Sequence, residues 1–126
     1  MREIKFRAWD KKYKAMASFE LMQTNARFAI DAPLPSGQFV VLPRHENIVL
    51  MQFTGLKDKN GKEIYEGDIL LDDTEGETYD CVEWNSFNGG FDTKYWYSPR
   101  ELVENAESHE IIGNIYENPE LLDSNN

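Results

Sequence analysis

The sequence predicts a mainly β protein with one short helix. Runs rich in Val, Ile, Phe, Tyr and Trp are short, and Gly, Asn, Asp or Pro residues separate them, which is typical of strands joined by turns. Ile4, Phe6 and Ala8 alternate with Lys5, Arg7 and Trp9, the period-2 pattern of a half-buried strand. One stretch, beginning at Ser98, carries the residues of a capped helix. With 126 residues, the chain is expected to form a single domain, 1–126.

Residues 1–19 are predicted to form an N-terminal hairpin. Its two strands flank a polar turn at residues 10–14, which contains three lysines. Residues 21–30 fit a helix and a strand equally well. A loop marked by two prolines and a glycine follows, and residues 38–42 have the composition of a short strand.

Residues 48–97 are predicted to form a central β meander. Asn60-Gly61 indicates a two-residue type I′ turn, in which both central residues have positive φ, and the charged residues around it, among them Asp58, are expected to keep its tip in water. Gly67 indicates a second tight turn or a bend. Further along, residues 78–84 and 91–97 flank Asn-Gly-Gly and are predicted to pair as a hairpin.

Residues 98–122 are predicted to contain the short helix and the last strand. Ser98 and Glu101 have the spacing of a capping box, and Pro99 suits the first helical position. The helix is expected over residues 99–107 and the last strand over residues 110–116. A final capped turn is expected at residues 118–122.

Three blocks of the sequence, residues 2–10, 51–70 and 112–122, together resemble the YopX family. Its members are small proteins carried by temperate phages and prophages of low-GC Gram-positive bacteria, and the family has no established biochemical activity. The positions that carry the resemblance in the second and third blocks are Thr54, Gly55, Asn60, Gly61, Tyr65, Glu66, Gly67, Asp68, Gly113 and Asn114.

The resemblance implies a multi-sheet, YopX-like fold with an SH3-like barrel part. It also implies a phage-encoded protein that assembles into homo-oligomers. It implies no catalytic residue, cofactor or metal site for this chain.

Charge is distributed unevenly along the chain, whose net charge is −10. Residues 1–62 carry 11 basic and 6 acidic side chains, whereas residues 63–126 carry 2 basic and 17 acidic ones. The asymmetry predicts a partner of opposite charge for one half, such as another copy of the chain. Alternatively, the acidic half only keeps the protein soluble. The acidic half disfavours nucleic acid as a partner, but it leaves open an acidic DNA mimic that acts on a host protein.

The side chains that perform chemistry are scattered. His45, His109 and Cys81 lack the spacing of a metal site, and both histidines are expected at the surface. Cys81 is predicted to be a buried apolar residue whose neighbour Asp80 raises the pKa of the thiol. No catalytic, cofactor-binding or metal-ligating residue is therefore predicted.

One pair of carboxylates supports an alternative. Glu66 and Asp68 lie two residues apart, so on a continuous strand they would share a face and could serve a weak metal-dependent enzyme. Gly67 between them is expected to interrupt that strand. Asp68 is accordingly predicted to accept hydrogen bonds from amides of the turn.

Large aromatic side chains are concentrated in the predicted hairpin. Phe91, Tyr95 and Tyr97 would share one face of a strand, and Trp96 the other, so both faces carry apolar area. The candidate interface consists of Trp96, Tyr95, Lys5 and Arg7, and it would join copies of the chain in a heterologous ring. A phage or host protein, or a peptide bound by the aromatic face, is the alternative partner.

The chain is expected in the cytoplasm of a host cell. No apolar run approaches the length of a membrane span, and the N-terminus lacks the apolar region of a signal peptide. Its single cysteine cannot form an internal disulfide. The function predicted from these observations is a non-enzymatic binding or assembly module.

Overall fold

A computed structural model describes residues 4–18, 32–33, 39–40 and 48–123 of the chain. It confirms the mainly β fold with one short helix. The chain divides into two compact units, Met1–Phe53 and Thr54–Asn126. The single domain over 1–126 and the SH3-like barrel part stay predictions, and the region at residues 21–30 lies outside the described residues.

In the described residues of the first unit, three strands pair side by side and two further strands form a separate pair. The strand order is β2-β1-β5, and β3 pairs with β4. The bounds are β1 Phe6–Asp10, β2 Ala15–Ala17, β3 Ala32–Pro33, β4 Phe39–Val40 and β5 Ile48–Lys57, of which the last continues into the second unit.

The N-terminal hairpin forms as predicted. Ala8 of β1 lies opposite Ala17 of β2 and Leu50 of β5, and both alanines are buried. The turn is held by Asp10, whose Oδ1 accepts the backbone N–H groups of the second and third residues after it, at 2.9 and 3.1 Å. The predicted alternation is wrong at the end of β1, because Trp9 is buried as well as Ala8.

The second unit contains the rest of the strands and all the described helices. The last part of β5 pairs with β6, and the other four strands form a sheet in the order β10-β7-β8-β9. The bounds are β6 Glu63–Tyr65, β7 Asp68–Asp72, β8 Thr78–Asn85, β9 Gly90–Thr93, α1 Pro99–Asn105, a 3-10 turn Ala106–Ser108, β10 Glu110–Asn114 and α2 Glu120–Asp123.

Helix α1 begins with the predicted capping box. The Ser98 hydroxyl accepts the N–H of Glu101, the Glu101 carboxylate accepts the N–H of Ser98, and Pro99 is the first helical residue. Leu102 is the residue of α1 that is fully buried. It enters a core formed with side chains of the sheet and the following turn, namely Ile64, Leu70, Val82, Phe91, Ala106 and Ile111.

The turn between β5 and β6 differs from the predicted type I′ turn. Gly61 has a positive φ of 79°, but Asn60 does not have a positive φ. The N–H of Gly61 donates to the carbonyl of Asp58 at 3.0 Å, and the N–H of Asp58 donates to the carbonyl of Lys62 at 2.9 Å. This is a three-residue loop in which a type I turn is followed by a glycine in the left-handed region.

None of the helices in the described ranges has the length and hydrophobicity needed to cross a bilayer.

Replacement of Gly61 by valine tests the conformation of this turn. A Cβ atom at Gly61 would meet no atom within 4 Å, so the cost is conformational and not steric. We expect Gly61→Val to lower the free energy of unfolding by about 1–3 kcal/mol, because a β-branched residue is held at positive φ. Gly61→Asn is the matched control, since asparagine tolerates this region, and it should cost clearly less. Equal stability of the parent, Gly61→Val and Gly61→Asn proteins in urea would contradict the positive φ assigned to Gly61.

Candidate binding surface

The turn between β5 and β6 is fastened to the edge of β10 by Asp58. This side chain is buried, and Oδ1 accepts the N–H groups of Asn60 and Lys62 at 2.9 Å each. Its second oxygen, Oδ2, accepts the N–H of Ile111 at 3.0 Å, from 53 residues further along the chain. Next to it, the N–H of Lys59 donates to the carbonyl of His109 at 2.9 Å. The tip of the turn, residues 59–62, is exposed as predicted, but Asp58 itself is buried because it docks on β10.

The same hydrogen bonds set the charge state of Asp58. Burial by itself would raise the pKa of this carboxyl. The three backbone N–H groups and the positive charge of Lys62 outweigh burial, and the pKa falls below its ordinary value. Asp58 is thus held as a carboxylate.

Several of the residues that carry the family resemblance hold turns in place. Thr54 is buried, and its hydroxyl donates to the carbonyl of Ile64 at 2.7 Å and accepts the N–H of Leu56 at 3.1 Å. Asp68 is also buried, and its Oδ2 accepts the N–H of Tyr65 at 2.7 Å. The prediction that Asp68 accepts a hydrogen bond from a turn amide is confirmed.

The central and C-terminal blocks of the resemblance meet in the sheet. Asn114 lies opposite Asp68, and the N–H of Ile115 donates to the carbonyl of Gly67 at 2.9 Å. Asn114 then ends β10, because its Oδ1 accepts the N–H groups of Tyr116 and Glu117. Residues that are about fifty positions apart in the sequence are therefore neighbours in the sheet.

Gly113 is required by close packing. A Cβ atom at this position would collide with the side chain of Asn118. The Asn118 side chain is held there because its Oδ1 accepts the N–H of Asn114. The glycine therefore allows the turn after β10 to fold back against the strand.

The carboxylates of the alternative enzyme hypothesis lie on either side of a turn. Glu66 and Gly67 form this turn between β6 and β7, and Gly67 has a positive φ of 85°. The continuous strand on which Glu66 and Asp68 would share a face is therefore interrupted at this point. Within the described ranges, no group of three or more His, Cys, Asp or Glu side chains is placed to hold a metal ion.

His109 is buried and not at the surface, so that prediction is wrong. Its Nδ1 lies 3.1 Å from the carbonyl oxygen of Leu71, which can only accept, so Nδ1 carries a proton. In the neutral ring, Nε2 then accepts the Tyr97 hydroxyl at 2.7 Å. Burial and the charges of Asp72 and Glu101 raise the pKa of Tyr97, which favours the protonated hydroxyl. The pair therefore joins β7, the loop after β9 and the start of β10. His45 lies outside the described residues.

Cys81 is buried in β8, as predicted. Burial, the charges of Glu83 and Asp80 and a hydrogen bond to Glu83 raise the pKa of its thiol to about 12. The thiolate is the nucleophilic form of cysteine, so this side chain is unreactive at neutral pH.

The loop after β9 is organised by Asp80, which is fully buried. Its Oδ2 accepts the N–H groups of Tyr95 and Trp96 at 2.8 and 2.7 Å, and its Oδ1 accepts the N–H of Cys81 at 2.9 Å. The strand therefore ends at Thr93 and not at Tyr97. The predicted face shared by Phe91, Tyr95 and Tyr97 is wrong for this reason, because alternation does not continue through a loop.

The loop places the two aromatic members of the candidate interface differently. Trp96 is half-buried against the core, and its ring centroid lies 5.2 Å from that of His109. Tyr95 is 70% exposed, and the Lys94 ammonium lies 5.3 Å from its ring centroid. Tyr95 is thus the member of the pair that solvent reaches most easily.

Two further aromatic side chains are exposed at the β8–β9 end of the sheet. Trp84 is 47% exposed and packs edge to face on Phe91, with ring centroids 5.0 Å apart. Phe87, in the loop between the strands, is 97% exposed. Aromatic side chains are enriched at protein interfaces, so we name Trp84, Phe87 and Tyr95 the exposed aromatic residues and treat them as the candidate binding surface.

The basic members of the candidate interface lie in the first unit. Lys5 is half-buried, with its ammonium 5.5 Å from the ring centroid of Phe53, and Arg7 is half-buried, with Nε 3.4 Å from Sδ of Met51. Both side chains therefore have contacts within their own unit. The more exposed cations of this unit are those of the β1–β2 turn, Lys11, Lys12 and Lys14.

Comparisons with known proteins identify one family and two similar solved structures. The family model described as YopX protein matches residues 5–123. The chain is similar to the crystal structure of protein EF1440 from Enterococcus faecalis, with a TM-score of 0.65 and 27% identity over 97% of this chain and 99% of that chain. It is also similar to protein yopX from Bacillus subtilis, with a TM-score of 0.49 and 22% identity over 94% of this chain and 97% of that chain. No curated protein matches the chain.

Substitution of Asp58 by asparagine tests its role and its charge. An amide nitrogen cannot accept the N–H of Ile111, so we expect Asp58→Asn to lower the free energy of unfolding by about 2 kcal/mol at neutral pH. The pKa of Asp58 is lower in the folded protein than in the unfolded chain, so this stabilisation is present above the unfolded pKa of about 3.9 and is lost as the pH falls through the folded pKa. Urea unfolding from neutral to acidic pH measures both effects.

The exposed residue Asp73 supplies the control for this experiment. Asp73→Asn should leave both the stability and its pH dependence close to those of the parent protein. An Asp58→Asn protein as stable in urea as the parent at neutral pH would show that the hydrogen bond to Ile111 does not contribute to stability.

Substitution of Asp68 by alanine tests whether this carboxylate is structural. The N–H of Tyr65 would lose its acceptor in a buried turn, and we expect a loss of about 1–3 kcal/mol in the free energy of unfolding. Thermal melting measures the effect, with Asp73→Ala as the exposed control. A variant that melted normally but lost a metal-dependent hydrolase activity of the parent would favour the enzyme hypothesis instead.

Proposed function

This chain belongs to the YopX family, and we propose that it is a non-enzymatic binding module that assembles with further copies of itself. Its copies join head to tail, with the basic unit of one copy against the acidic unit of the next. A phage origin and a location in the host cytoplasm, which the resemblance implies, belong to the same proposal.

The opposite charges of the two units carry this proposal. Residues 1–53 hold 8 basic and 5 acidic side chains, a net charge of +3, whereas residues 54–126 hold 5 basic and 18 acidic ones, a net charge of −13. Contact between like units of two copies would bring charges of the same sign together. Contact between unlike units is attractive, and complementary charge selects the partner and its orientation.

A contact between unlike surfaces is heterologous. Each copy then offers one surface to the copy before it and a different surface to the copy after it. Such contacts form a closed ring when the rotation between copies closes, and not a two-fold dimer. A ring of three or more copies is therefore the proposed assembly.

The exposed aromatic residues favour binding over a purely solubilising role for the acidic unit. Trp84 and Phe87 are exposed at the same end of the β8–β9 hairpin, and large exposed apolar side chains that lie together mark interaction sites. Tyr95 is exposed separately, in the loop after β9. Trp96, at the centre of the interface predicted from the sequence, is half-buried, and its backbone N–H binds the same carboxylate as the N–H of Tyr95. Lys5 and Arg7 remain in the proposed basic surface as its half-buried members.

Light scattering on the purified protein at low and high salt tests the proposal. We expect a ring of at least three copies at low salt. Added salt should slow association more than it weakens the final assembly, because it screens the exposed charges over about 8–10 Å. A strict monomer at tens of micromolar would contradict the proposal and would leave the exposed aromatic residues for a host or phage protein.

A charge reversal in the basic unit makes the test specific. Lys11→Glu combined with Lys12→Glu should abolish the assembly, because both side chains are exposed and have the charge that attracts the acidic unit. Arg100→Glu is the matched control, since Arg100 is an exposed cation that belongs to the acidic unit. Assembly that survives the lysine reversal unchanged would contradict the proposed contact.

A further inference from the structure

The β8–β9 loop, residues 86–89, presents an apolar side chain on a well-fixed backbone. Phe87 projects from this loop almost wholly into solvent. Asn85, the last residue of β8, holds the loop, because its Oδ1 accepts the N–H of Asn88 at 3.0 Å and its carbonyl accepts the N–H of Gly89 at 2.9 Å. A fixed loop loses little conformational freedom when a partner covers it, which favours binding.

The strands that carry the loop add a second apolar side chain and two carboxylates. Trp84, whose ring is half exposed, lies at the same end of the hairpin as Phe87. Glu83 and Asp92 lie directly opposite each other on the two strands. Asp92 accepts a hydrogen bond from the Asn85 amide at 2.7 Å, and Glu83 interacts electrostatically with Lys94, so the lysines of a partner would add to contacts that already offset the repulsion between the two carboxylates. This end of the hairpin therefore suits a partner that carries an apolar or aromatic side chain together with positive charge.

The chain itself contains an element of that chemistry, the β1–β2 turn at residues 11–14. Three of its four residues are exposed lysines, and the fourth, Tyr13, is 61% exposed. The Lys12 ammonium lies 5.4 Å from the ring centroid of Tyr13. Asp10 fixes this turn through the N–H groups of Lys12 and Tyr13. The turn thus presents an aromatic ring among cations, whereas the β8–β9 end presents Trp84 on one face of the strands, Glu83 and Asp92 on the other face, and Phe87 in the loop that joins them.

We propose that the β8–β9 loop of one copy docks on the β1–β2 turn of the next copy, with Phe87 as its anchor. This inference rests on the proposed self-assembly and names the two elements that make the contact. Phe87 and Trp84 supply the apolar centre, together with Tyr13 of the next copy. The three lysines of the turn face Glu83 and Asp92 at the edge.

The first experiment compares single-site variants by sedimentation velocity. Phe87→Ser should weaken association about 30-fold or more, the effect of removing an anchor residue from the centre of an interface. Val103→Ser is the matched control, because Val103 is an apolar residue of α1 that is 63% exposed and lies outside the proposed contact. Since Phe87 makes little contact with the core, Phe87→Ser should fold and melt as the parent does.

The second experiment mixes two defective proteins. The Phe87→Ser protein keeps an intact β1–β2 turn, and a protein with Lys11, Lys12 and Lys14 all changed to Glu keeps an intact β8–β9 loop. Each alone should be monomeric. Their mixture should form a one-to-one dimer and no ring, because only one pair of unaltered elements can meet.

The outcomes separate this inference from the proposed function. A Phe87→Ser protein that still forms the ring, while the lysine reversal breaks it, would overturn the docking of the loop and leave the head-to-tail assembly standing. If both variants are monomeric and their mixture also stays monomeric, the docking of the loop on the turn is overturned and the head-to-tail assembly still stands. A parent protein that is itself monomeric would overturn both proposals.

Discussion

The conformation of the second unit depends on hydrogen bonds to the carboxylate of Asp58. Its two oxygens accept three backbone N–H groups, two from its own turn and one from β10 at Ile111. These bonds join the start of the unit to a strand near its end. The N–H of Ile111 would otherwise be buried without an acceptor, which is costly, and bonds to an ionised acceptor are stronger than neutral ones. The hairpin, the last strand and the charge state of the side chain are consequently fixed by one group.

The same device recurs at other turns of the unit. Asp68 holds the turn after β6, Asp80 the loop after β9 and Asn114 the turn after β10, each by accepting backbone N–H groups. In the part of the chain that the structure describes, every buried side-chain nitrogen and oxygen has a hydrogen-bond partner. Among the positions that carry the family resemblance, Thr54, Asp68 and Asn114 accept backbone N–H groups in this way, and Gly55, Gly61 and Gly67 have positive φ. They define how the backbone turns, and for that reason they identify a fold more readily than a ligand.

Most of the strands and the helix cap could be predicted from the sequence, because each depends on neighbouring residues. The capping box at Ser98 and Glu101 is an example. What could not be predicted depends on partners far along the chain. The turn at Asn60 is not type I′, and the Asp58 that precedes it accepts the N–H of Ile111. Strand β9 ends early because Asp80 accepts the N–H groups of Tyr95 and Trp96. His109 is buried because Leu71 and Tyr97 satisfy its ring. A local signal was present only for the first of these sites, where Asp58 directly precedes the turn.

The docking of the β5–β6 turn on β10 also limits how the protein can associate. An open strand edge is a template on which an extended segment of another chain can add a strand, and such edges promote aggregation. At β10 the carbonyl of His109 and the N–H of Ile111 are already bound by Lys59 and Asp58. Strand addition there would first have to displace a turn that is held by a buried charge. The backbone at this edge is therefore not available for pairing with unrelated chains. Recognition of a partner is left to the aromatic and charged side chains of the surface.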